Sequence, residues 1–157
     1  MIGAMLAKWE VRRGFDMMSR KDLATLMRGY TNDAVFEFPG WTPISGRHEG
    51  KPAIEAFFRT VFDRMASMRF TVKRVAALHR FALNLTNTLL IEWAADETSY
   101  DGITIHVEGV TICRIHHGRT VATRDYIFDT GPLETMWGHV EAAPAQTADR
   151  SMPVTTS

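Results

Sequence analysis

The chain has 157 residues, enough for one domain with a real core. Its formal net charge is zero, which removes the electrostatic case for nucleic acid or an acidic membrane surface as partner. The single cysteine, Cys113, excludes an internal disulfide and sits in an apolar run, where a buried, inert thiol is expected. No apolar stretch reaches membrane-spanning length, and the start of the chain lacks the basic-then-apolar order of a signal peptide, so a cytoplasmic protein is expected.

Residues 4–18 have helical periodicity, with Leu6, Trp9, Phe15 and Met17 or Met18 on one face. Ser19 and Asp22 have the spacing of a capping box, ahead of a short helix over residues 21–29. Residues 30–33 have turn chemistry, and residues 34–38 form a short aromatic strand that stops at Pro39. Residues 41–50 contain glycines and a proline without periodicity and read as a loop, which leaves His48 in solvent. Pro52 sits where a helix tolerates it, and Ile54, Phe57, Phe58, Val61, Phe62 and Met65 make a broad apolar face that needs a sheet to cover.

That sheet is expected from strands over residues 70–78, 83–95, 103–115 and 119–128, with turns at 96–102 and 116–118. Ile103, Ile105 and Val107 alternate with polar residues, but Val110 and Ile112 fall on the other parity. A bulge at Gly109 would return all five to one face. Residues 132–140 form a short closing segment. From residue 141 to 157 the composition predicts a disordered tail. The result is one α+β domain over residues 1–140, with three helices on the concave face of a curved, mixed or antiparallel sheet. Such a cone is open at one end and admits a small hydrophobic molecule.

The final strand carries Arg124 and Asp125 among Tyr126, Ile127 and Phe128. Charges inside an apolar strand are costly to bury unless paired or used. Asp125 is therefore either half of an ion pair, with Arg124 or a neighbouring strand, or a carboxylate facing a pocket. Asp129 shares its parity and is the alternative pocket group. The histidines have no carboxylate spacing that suggests a metal site.

Three segments in this order, NDAVFEFPG (32–40), GRHEGKPAIEAFF (46–58) and the RDY at 124–126, resemble the SnoaL-like branch of the nuclear transport factor 2-like superfamily. The resemblance implies the cone fold for about residues 5–130. It also implies one of several activities: polyketide cyclase, limonene epoxide hydrolase, ketosteroid isomerase, scytalone dehydratase (a lyase), or a non-catalytic binding domain. In the epoxide hydrolases the Asp of this RDY activates water, which implies Asp125 as the base. Their second acid, two strands earlier, falls on Glu92. The Arg that bridges the two carboxylates falls on Leu90, and the residues that help hold the water fall near Phe36 and Phe38. The acid of the ketosteroid isomerases falls on Phe38.

The expected site is therefore Asp125 as base, with Glu92 or His106 as acid or hydrogen-bond donor. Phe36, Phe38, Trp41, Phe58, Phe62 and Tyr126 form its substrate-binding wall. Desolvation there raises the carboxylate's pKa toward neutrality. Proton abstraction beside a carbonyl needs only this set and no cofactor. The competing expectation is a non-catalytic binding or dimerisation domain. A homodimer is expected on either reading, through an outer sheet face that exposes Ile91 and Trp93.

Overall fold

The computed structural model describes residues 2–78 and 86–141, with the side chains of residues 2–8 and 10 excepted. Its first helix, α1 (Ile2–Ser19), ends where the Ser19 hydroxyl donates to Phe15 O at 3.0 Å and accepts from Phe70 N at 3.0 Å. Ser19 thus ties the helix to the sheet instead of opening a capping box. Asp22 caps the next helix, α2 (Leu23–Arg28), by accepting from Thr25 N at 3.0 Å. Phe15 is buried as expected, whereas Trp9 faces solvent under the Arg13 guanidinium. Leu6 lies outside the described side chains.

Strand β1 (Tyr30–Phe38) begins inside the expected turn, and β2 (Gly46–Glu49) forms within the expected loop by pairing antiparallel to it. Helix α3 (Lys51–Arg64) has Pro52 in its first turn and buries Ile54, Phe57, Phe58, Val61 and Phe62. Each such aromatic burial contributes about 1.5–3 kcal/mol. The α3 C-terminus is held by Lys21, whose ammonium donates to Phe62 O at 3.1 Å and Met65 O at 2.7 Å.

Three long strands follow, β3 (Met65–Ala77), β4 (Thr86–Ser99) and β5 (Thr104–His116), then β6 (Arg119–Ile127) and a last helix, α4 (Gly131–Trp137). The sheet order is β2-β1-β6-β5-β4-β3. All neighbours are antiparallel except β1 and β6, which run parallel. This is the expected α+β architecture, a mixed sheet not closed into a barrel. Helix α1 packs on β3, α3 on β1 and α4 on β5. Apart from Glu141, the expected tail lies outside the described residues, as do residues 83–85 of the expected second strand.

The register of β4 and β5 decides which side chains face the helices. It runs unbroken from Thr86 opposite His116 to Thr98 opposite Thr104. There is therefore no bulge at Gly109, contrary to the reading of the sequence. Odd-numbered residues of both strands point to the helical side, and Val110 and Ile112 stay on the outer face, half-buried. Gly109 is required for another reason. A Cβ there would lie 2.5 Å from the Tyr126 carbonyl oxygen and 3.1 Å from the Trp93 ring. The same parity corrects the expected outer apolar patch, because Ile91 and Trp93 are core residues on the inner face.

Candidate active site

The inner face and the helices enclose a cavity of ≈ 450 Å³, within the range typical of small-molecule sites. Its wall is mostly apolar and aromatic, with Phe15, Phe36, Phe38, Phe58 and Trp93 prominent. The exposed residues Arg13, Arg28, His117 and Arg119 mark where the lining reaches solvent.

Asp125 projects into this cavity from β6. It stands opposite Thr111, and the Thr111 hydroxyl donates to its Oδ1 at 2.5 Å. Thr111 in turn accepts from the Trp93 indole N–H at 2.8 Å. Trp93 has one donor and Thr111 has one, so this chain has one direction. Trp93 and Thr111 are both more than 90% buried, which fixes their rotamers and therefore the carboxylate's orientation.

Burial drives the Asp125 pKa up to about 7, against the lowering effect of the Thr111 hydrogen bond. Tyr30, Cys113 and Thr123 also line the cavity near it. Burial raises the Tyr30 phenol, with smaller contributions from Cys113 and Asp125, so it is a neutral donor at pH 7. Burial pushes the Cys113 thiol up to about 12, so it is protonated there and no nucleophile. The Thr123 hydroxyl is buried beside the Tyr30 phenol and acts against the rise of the phenol's pKa.

Of the two readings of Asp125, the pocket carboxylate is the one observed. Arg124 points to the opposite face, where its Nε pairs with Glu37 and its guanidinium lies over the Tyr126 ring. Glu37 also accepts from Arg47 at 2.8 Å. Asp129 is exposed and accepts from Gly131 N at 2.9 Å at the start of α4, so it is not the pocket group.

The two expected acids are not in the cavity. Glu92 and His106 have even parity on strands whose odd residues face inward. Glu92 pairs with Arg74 at 3.3 Å. His106 meets Asp96 at 2.7 Å and Glu108 at 3.5 Å, and Glu108 also pairs with Lys73. Hydrogen bonds to Asp96 and Glu108 raise the His106 pKa, as suits an outer-face ion-pair cluster.

Among the expected wall residues, Phe36, Phe38 and Phe58 line the cavity. Phe62 is buried behind Phe58, with ring centroids 5.9 Å apart, and is not part of the wall. Trp41 is 49% exposed and Tyr126 is 46% exposed on the outer face. His48, expected in solvent, is half-buried and stacks on Phe36 at 5.9 Å. Burial lowers its pKa.

Thr111, Thr123 and a second acid in the cavity were not legible in the sequence. Glu97, on β4, is 8% exposed and contributes to the lining. Burial alone raises its pKa to about 7. Among the described residues, no three His, Cys, Asp or Glu side chains converge as a metal site would require. No helix among them is long and apolar enough to cross a membrane.

The sequence matches the profile of the SnoaL-like domain over residues 11–123. The chain belongs to the SnoaL-like family. The matched region stops two residues before Asp125, so the assignment rests on the frame of the fold and not on the acid. No curated protein matches the chain. Among solved structures it is similar to Bal32a from a soil-derived mobile gene cassette, at 20% identity and TM-score 0.73, covering 86% of this chain and 98% of that one. It is also similar to a nuclear transport factor 2-like protein of unknown function from Burkholderia pseudomallei, at 20% identity and TM-score 0.71, covering 84% and 97%. A third is an epoxide hydrolase from M. tuberculosis, at 16% identity and TM-score 0.65, covering 85% and 90%. At these identities the likeness extends to the fold alone.

Proposed function

We propose that this SnoaL-like protein is a cofactor-free acid–base enzyme acting on a small, mostly apolar organic molecule held in the cavity. The observation that carries the reading is Asp125: a carboxylate in an aromatic cavity, oriented by one hydroxyl, with its pKa near neutrality. A base whose pKa lies near the working pH is both ionised often enough and basic enough to move protons. Structural carboxylates are commonly held by arginine, and Arg124 is instead engaged by Glu37 on the other face.

In the proposed step the substrate's carbonyl faces Tyr30 and its adjacent carbon faces Asp125. The C–H bond breaks, the proton passes to a carboxylate oxygen, and the electron pair moves onto the carbonyl oxygen as an enolate. Tyr30 donates to that oxyanion as charge develops. Returning the proton to a different carbon gives isomerisation, expelling a leaving group gives elimination, and attack on a second carbonyl gives ring closure. Epoxide hydrolysis would need Asp125 to activate a water instead. The absence of an inward-facing carboxylate at residue 92 favours the enolate chemistry over that alternative.

The test is a panel of ketones, epoxides and cyclisable diketones. Asp125→Asn is expected to abolish turnover of any substrate found while leaving its affinity within a few-fold. Unchanged turnover in the variant removes Asp125 from the mechanism. Binding without turnover across the panel would support the rival reading of a ligand-binding domain.

A cytoplasmic location and a homodimer complete the proposal. The outer face offers Leu90, Val110 and Ile112, half-buried, beside exposed Tyr126 and Phe128. A patch of this kind is commonly covered by a second copy. Light scattering at micromolar concentration is expected to give twice the chain mass, and the monomer mass contradicts it.

A further inference from the structure

Glu97 has no part in the chemistry proposed above. It sits on β4 opposite Ile105 of β5 and Met68 of β3, on the inner face. It is more than 90% buried, and among the described residues nothing hydrogen-bonds it or forms an ion pair with it, burial being the only influence on its pKa. Glu97 lines the same cavity as Asp125. A buried acid without a partner is expensive, and cores ordinarily replace it with an apolar residue of similar size. Glu92, Glu37 and Glu108, each on the outer face, all have cationic partners. Glu97 alone among the strand glutamates faces inward without one.

The register also separates it from Asp125. Asp125 stands opposite Thr111, which stands opposite Ile91, whereas Glu97 lies six residues further along β4. At about 3.3 Å per residue that is roughly 20 Å along the strand before curvature, so the two acids face different parts of one cavity.

We propose that Glu97 binds a hydroxyl or amine carried by the substrate at the end remote from its reacting carbon. This rests on the reading of the cavity as a substrate site, and it narrows the substrate class to elongated apolar molecules with such a donor. Both donors satisfy a lone carboxylate: the hydroxyl by one hydrogen bond, the amine by a charge-assisted one. Its rise toward pH 7 fits an acid that still lacks that partner. Glu97 would then be a specificity residue, taking no part in proton transfer at Asp125.

Three matched probes test this by calorimetry: 2-methylnaphthalene, 2-naphthalenemethanol and 2-naphthylmethylamine. The native protein is expected to bind the alcohol and the amine at least tenfold more tightly than the hydrocarbon. Glu97→Leu should erase both preferences and raise the melting temperature, since it removes an unpaired buried acid. Glu97→Gln should keep the preference for the alcohol and lose most of that for the amine, and it carries the test if the leucine variant does not fold. Asp125→Asn should leave both preferences in place.

Retention of the preferences in the leucine variant overturns the proposal, as does their loss in Asp125→Asn alone. Equal binding of all three probes by the native protein also overturns it, yet leaves the cavity as a binding site. Failure of all three to bind overturns this proposal together with the reading of the cavity beneath it.

Discussion

Replacing Asp125 with asparagine removes one titrating group and keeps the oxygen to which Thr111 donates. Burial raises this acid in the folded protein from 3.8 to about 7. Below the unfolded value the group is protonated in both states and costs nothing. As pH rises, the unfolded chain releases the proton first while the folded protein still holds it. Stability therefore falls with rising pH and levels off above the folded pKa. Each pKa unit corresponds to about 1.4 kcal/mol, so the span of about 3 units sets an upper limit of about 4 kcal/mol. Roughly two of those units fall between pH 5 and 8.5, and water in the cavity reduces their effect to about 2 kcal/mol. Urea unfolding of both proteins at these two pH values measures it. The native protein is expected to lose about 2 kcal/mol more than Asp125→Asn across the interval. Glu97 titrates in both proteins and cancels in the comparison. Equal losses would refute the argument, because they would mean that Asp125 is ionised as freely in the folded protein as in the unfolded chain.

Gly109→Ala should destabilise the protein by at least about 1–3 kcal/mol, since the added methyl meets the backbone of β6 at 2.5 Å; a denaturation midpoint equal to the native one would show that the strands yield freely. Thr111→Val removes the hydrogen bond that lowers the Asp125 pKa, so the acid should titrate above its native value in a carboxyl-carbon NMR titration. The same change leaves the Trp93 indole unpaired and should cost about 1–3 kcal/mol of stability. Cys113 should resist a disulfide reagent at pH 8 in the folded protein and react in urea, since burial keeps its thiol protonated; equal rates in both conditions would contradict this.

Much of the architecture was legible from residue pattern. The apolar face of α3, the aromatic β1 and the alternation of Ile103, Ile105 and Val107 specify helices over one face of a sheet. Asp125 was legible because a charge in an aromatic strand requires a reason. Its hydrogen-bonding chain was not, since Trp93 and Thr111 meet only through the β4–β5 register. Glu92 was placed by the resemblance, and His106 alternates with Ile105 and Val107, which face inward. Val110 and Ile112 suggested a change of phase at Gly109, whereas they are apolar because the outer face is partly apolar too. With the phase unbroken, counting from Asp125 through Thr111 and Ile91 turns Glu92 and His106 outward. The same count turns Glu97 inward, but its neighbours Asp96, Thr98 and Ser99 had the composition of a turn. Burial of α3 and the pairing with β1 likewise outweighed local loop propensity at β2.

The central claim is that Asp125 takes a proton from carbon inside the cavity, and solvent-deuterium exchange at the carbon beside the carbonyl of an apolar ketone such as 2-tetralone tests it most directly. The native protein should speed exchange at least a hundredfold over buffer at pH 7.5, and Asp125→Asn should return it to the buffer rate. Exchange that proceeds equally in the variant, or no acceleration despite measured binding of the ketone, contradicts the claim.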